Sequence, residues 1–273
     1  KKLALVLRNP GLEPIDVKIG NRGISQPRHD YFAAGKEAQK DYFASEGHLT
    51  TFKLLGYQEL LSWHDGQAFK PQQLITGILD LEVAKPVEVS VLLLSVKDKL
   101  AVALDSYHIL PPDEGNVLRG TFPTSNCHVV LPELFNTQGN EIVEIKLADN
   151  VKNPFVRGID ATTGKKTFNN GNYGVIYDVH FTTGGKNETL VQFSPEGGLY
   201  AGYGKIGEEG QLKLVGLPEG ETAFGKAGRE EAIIVGTIPG GKKGEMIFSP
   251  PGSSNLPIKI ILIPEKVLPK ITK

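Results

Sequence analysis

Residues 169–205 read NNGNYGVIYDVHFTTGGKNETLVQFSPEGGLYAGYGK. Val175, Tyr177 and Val179 alternate with Ile176, Asp178 and His180. A period of two sends one set to a core and the other to a face in or near water. Gly171 and Gly174 bracket Tyr173, TTGG at 182–185 punctuates the run, and residues 189–193 resume as a strand. The stretch reads as two β-strands closed by glycine-rich turns, with no active-site chemistry in it.

The rest of the 273 residues extends the pattern. Glycine and proline together make up about 18% of the chain, above average usage of roughly 12%, which suits many short strands joined by turns. A hydrophobic fraction of 40% is enough for a sizeable core and argues against wholesale disorder. Thirty Lys and Arg oppose 31 Asp and Glu, so the basic excess of a nucleic-acid binder is missing. No run reaches the roughly 18 apolar residues of a membrane span. Cys127 is the single cysteine, which excludes an intrachain disulfide and a zinc ribbon. The opening residues KKLALVLR are too short for a signal-peptide apolar region and read as a strand.

Residues 3–7 form an apolar strand stopped by NPG at 9–11, and Ile15, Val17 and Ile19 form a second. Asp30 is an N-cap for one helix, followed at helical spacing by Tyr31, Ala34, Gly35, Ala38 and Tyr42, with Gly47 as its stop. Strands follow at 49–55 and 59–63, then a turn at 64–66. Residues 74–83 and 87–95 read as a hairpin hinged at Lys85-Pro86, and 100–104 as another strand. The diproline-acidic segment 109–117 is the best linker. Beyond it, strands are expected at 119–122, 128–131, 142–147, 211–215, 232–237, 245–248 and 257–263. Residues 154–170 read as a turn-rich loop. FSPEG (193–197) and FSPPG (248–252) echo each other as strand exits.

Several segments resemble secreted surface proteins of Gram-positive bacteria catalogued as copper-amine-oxidase-like. They are NRGI (21–24), YFAAGKEA (31–38), NYGVIY (172–177), FSPEGG (193–198) and PPGSSNLP (250–257). The resemblance spans most of the chain and rests on turns and strand exits. It implies an extracellular or cell-surface location. It implies no copper chemistry, because the copper-amine-oxidase N-terminal module itself is not found in these residues.

Candidate chemistry is sparse. The six histidines form no HxH, HxxxH or HExxH pattern. Cys127 and His128 are adjacent in a strand, so their side chains point to opposite faces and a metal site there needs ligands from elsewhere. The carboxylate-rich turns at 113–115 and 208–210 lack the alternate spacing of a calcium loop. The glycine-rich runs 197–204 and 237–244 lack the Walker order, and no GxSxG elbow occurs. Trp63, Tyr173, Tyr200 and Tyr203 are candidates for stacking on sugar rings, with core packing as the competing reading.

The expected fold is all-β with two β-sandwich-like domains. Residues 1–108 make the first, with its helix at 30–46; 109–117 is a linker, 118–265 the second sandwich, and 266–273 a tail. The expected function is that of a non-catalytic extracellular structural protein that assembles with copies of itself into a filament. Leu3, Ala4, Leu5, Val6 and Leu7 would add as a strand to a neighbour. A polysaccharide-binding module and a secreted hydrolase are the alternatives. No cofactor, metal, nucleic acid or membrane span is expected.

Overall fold

A computed structural model describes residues 1–45, 50–56, the backbone of 59–63, and 68–99, 106–111, 118–226 and 231–267. The chain divides into two compact units, Lys1–Leu110 and Pro111–Lys273. The architecture is mostly β and sandwich-like, with one α-helix among the described residues. The expectations at Gly47, 64–66, 100–104 and the end of the tail fall outside the described residues.

In the first unit, β1 (Lys2–Arg8) lies between β4 (Glu59–Trp63) and β6 (Glu88–Leu94), antiparallel to both. A second sheet places β2 (Ile15–Ile24) between β3 (Thr50–Leu54) and β5 (Gly77–Val83). The expected hairpin of 74–83 with 87–95 is therefore corrected. Its two strands enter different sheets, because β5 pairs with β2 and β6 with β1. A chain that is apolar on both faces needs cover on both, and β1 finds it. Ala4 and Val6 pack with Leu92 and Leu94, while Leu7 joins Ile15, Val17 and Leu54 of the other sheet.

Helix α1 (Tyr31–Ala44) begins at Asp30, whose carboxylate accepts the Ala33 N–H at 3.0 Å. It buries Ala34, Gly35, Ala38, Gln39, Tyr42 and Phe43. Tyr31 lies off that face and is exposed, against expectation. Small residues let the helix approach β2 closely. A Cβ on Gly23 would stand 2.5 Å from the Tyr42 backbone nitrogen and nearer still to the Ala38 carbonyl oxygen.

The second unit is a sandwich of two sheets. One has the order β15 (Gln211–Leu217), β14 (Gly202–Glu208), β17 (Lys243–Phe248), β12 (Ile176–Gly184), β7 (Asn126–Val130), with β8 (Phe135–Asn136) also on β12. The other runs β16 (Ile233–Ile238), β13 (Thr189–Pro195), β18 (Ile258–Pro264), β9 (Val143–Leu147). Between them lies one core. Tyr177, Val179, Phe181, Met246 and Phe248 from the first sheet belong to one buried cluster with Val191, Phe193, Ile258, Ile260 and Leu262 from the second. The Tyr177 and Phe248 rings stack at 5.1 Å. The expected loop at 154–170 instead contains a hairpin, β10 (Arg157–Asp160) with β11 (Lys165–Phe168). Asp160 closes its turn by accepting the Thr162 N–H and the Thr162 and Thr163 hydroxyls.

Candidate functional site

The alternation of β12 decides what its outer face carries. Tyr177, Val179 and Phe181 turn inward, so Asp178 and His180 turn outward. Pairing of β12 with β7 is parallel and puts His128 beside Asp178. Antiparallel pairing with β17 puts Glu245 beside His180. The result is a His–Asp–His cluster whose ligand atoms all lie within 4.8 Å of one another. His128 Nδ1 lies 2.9 Å from Asp178 Oδ2, and His180 Nε2 lies 2.8 Å from Asp178 Oδ1. The two imidazoles meet edge to face at 4.8 Å. His180 Nδ1 faces Glu209 Oε1 at 3.8 Å, and Lys243 holds the other Glu209 oxygen at 3.2 Å.

Sequence reasoning missed this cluster, although half of its signal was present. Asp178-x-His180 in a strand puts two ligating side chains on one face by the period of two. The stretch taken to lack site chemistry thus supplies two of the three residues. Cys127 points the other way, toward the Asn153 side-chain amide at 3.5 Å, so it is no part of the group.

The candidate stacking residues are scattered. Tyr200 is corrected outright: it is fully buried in the sandwich core, its ring 4.8 Å from that of Phe193, and it has no face for a sugar. Tyr173 is partly buried, and its hydroxyl donates to the Ser254 carbonyl at 2.8 Å, which ties the turn before β12 to the loop before β18. Tyr203 lies on the same outer sheet face as Asp178, on β14. Trp63 lies on β4 opposite Leu5, and its side chain is outside the described residues. Leu3 to Leu7 form no free arm, since β1 is paired along both edges within its own unit. The NPG segment after it is an anchored turn. Asn9 is buried, donates to the Glu13 and Leu54 carbonyls, and accepts the Gly11 N–H.

A groove of about 860 Å³ opens beside the β10–β11 hairpin. Phe122, Phe155, Phe168 and Ile159 line it, together with Arg157 and Lys166. Phe168 and Ile159 are each more than half exposed. No tyrosine or tryptophan lines it.

Three carboxylates of the second unit are held below the usual range. Hydrogen bonds from Thr162 and the Arg119 guanidinium hold Asp160 well below the usual range. Burial pushes Glu196 upward, but its ion pairs with Lys146 and Lys259, at 2.7 and 2.6 Å, outweigh this and leave it lowered. Burial likewise opposes, and the backbone N–H groups of 151–153 win, at Asp149.

No protein-family profile and no curated protein matches the chain. Among solved structures, a vicilin from Capsicum annuum aligns at 9% identity over 96% of this chain and 73% of that chain, with a TM-score of 0.13.

Proposed function

We propose that the chain is a non-catalytic structural protein of a bacterial cell surface that assembles with copies of itself. The observation that carries this reading is strand β6. Val89, Val91 and Leu93 occupy successive positions on one face of it and are 53, 68 and 46% exposed. Among the described residues, β6 is an edge strand paired only to β1. Natural sheets guard exposed edges with Lys, Pro or bulges, and an unguarded apolar edge is a template for another strand. Backbone pairing then gives affinity and the apolar side chains give register. An antiparallel pairing of β6 with β6 of a second copy satisfies both partners alike. Exchange of β1 between copies would rebuild contacts that already exist within one chain, so the edge of the sheet is the simpler joint.

Sedimentation velocity and negative-stain microscopy test the reading. Native protein is expected to self-associate with rising concentration, and Val91→Lys to remain a folded monomer. Assembly that persists in Val91→Lys, or a native chain that stays monomeric at high concentration, overturns it.

A second reading rests on the groove beside β10–β11. Three phenylalanines flanked by Arg157 and Lys166 suit an acidic polysaccharide, with rings for the sugar faces and cations for its carboxylates. Retention on acidic cell-wall glycans that is lost in Phe168→Ala would favour it.

A further inference from the structure

We propose that His128, Asp178 and His180 bind a borderline divalent transition-metal ion, with zinc(II) as the working case. The donor set points to this class. Two imidazole nitrogens and one carboxylate oxygen suit zinc, copper or nickel, whereas magnesium and calcium take oxygen ligands.

The contact between Asp178 and His180 is the second observation. Asp178 Oδ1 and His180 Nε2 are both buried and 2.8 Å apart, yet neither has a hydrogen-bond partner. At that distance the contact still does not meet hydrogen-bond geometry. Two buried polar atoms are thus left unsatisfied side by side, a cost that a shared cation removes. Metal–ligand bonds of about 2.0–2.2 Å place tetrahedral ligand atoms roughly 3.4 Å apart. The widest separation here, 4.8 Å, closes by rotation of His128, whose side chain is 67% exposed.

The surroundings fit a metal-binding histidine. Ligating imidazoles present their second nitrogen to a carboxylate, which fixes the tautomer and orients the ring. His180 turns Nδ1 toward Glu209, and Lys243 holds Glu209 from behind. Both strands that carry the ligands are set by the sandwich core on their other face, so the site is largely preorganised. Glu245 is in register beside His180 for a fourth position, with water as the alternative. An ion here pins β7, the edge strand of its sheet, to β12.

The test uses the full chain freed of metal by a chelator and then titrated with zinc(II) in a calorimeter, with magnesium and calcium as controls. The expected result is one zinc per chain, no uptake of magnesium or calcium, and a higher thermal midpoint with zinc. Asp178→Asn and His180→Ala should lose binding. Glu209→Gln should weaken it by roughly 10–100-fold, as loss of an outer partner does. His108→Ala should bind as the native chain does. Imidazole proton resonances of the native chain provide a readout that no variant can spoil by misfolding: zinc should shift His128 and His180 and leave His29 and His108 in place. Lack of uptake, undiminished uptake in Asp178→Asn and His180→Ala, or equal shifts at all histidines overturns the proposal.

Discussion

The phenolic hydroxyl of Tyr42 lies 2.9 Å from one oxygen of the Asp80 carboxylate and 3.0 Å from the other. This pair joins α1 to β5. Burial pushes the Asp80 carboxyl above its usual range, with the Tyr42 hydrogen bond opposing, and burial carries the Tyr42 phenol upward as well. Tyr42→Ala should cost about 3–5 kcal/mol, as removal of a buried ring does. Tyr42→Phe should cost about 1–3 kcal/mol, because it leaves a partly buried carboxylate short of a donor. A raised carboxyl is strained in its charged form, and that strain eases as pH falls through the folded value. The Tyr42→Phe penalty should therefore be smaller near pH 4 than at pH 7, as measured by urea unfolding at each pH.

The second unit should respond to acid in the opposite sense. Asp160, Glu196 and Asp149 are all held below the ordinary carboxylate range. A depressed carboxyl contributes stability that is complete above its unfolded value, near 4, and is lost as pH falls through the folded value. Thermal midpoints for this unit should hold between pH 7 and about 5 and then fall. Asp160→Asn should lower the midpoint at neutral pH and flatten the acid limb. An acid limb unchanged in that variant would count against the assignment.

Gly23→Ala should destabilise the first unit by about 1–3 kcal/mol or more, because the added methyl meets backbone of α1 that cannot swing aside. Gly252→Ala is the matched control. A Cβ there meets nothing within 4 Å, so the change should stay within about 0.5 kcal/mol. Calorimetric scans of both variants check the pair.

Deleting residues 1–9 should unfold the first unit and leave the second folded. Ala4, Leu5, Val6 and Leu7 are buried, and β1 is the middle strand of its sheet. Two-dimensional amide spectra should lose the dispersed signals of one unit and retain those of the other. A truncated chain in which both units remain folded would return β1 to the role of an exchangeable arm.

The sequence by itself determined what is local. Alternation of Tyr177, Val179 and Phe181 with Asp178 and His180 marked β12, its buried face and its outward face, because side-chain direction follows from the period of the strand alone. Asp30 and the spacing of Ala34, Ala38 and Tyr42 marked the helix, because caps and a 3.6-residue stripe are also local. Tertiary structure decided everything that depends on which strand lies beside which. Consecutive β5 and β6 looked like a hairpin until each found its partner in a different sheet. Tyr200 and Tyr203 are three residues apart, yet one is core and the other lies on the outer face. His128 stands some fifty residues before Asp178, and only the parallel register of β7 on β12 brings them together. Which strands become neighbours depends on contacts between segments far apart in the chain, so alternation within β12 fixes its faces but does not name β7 as its partner.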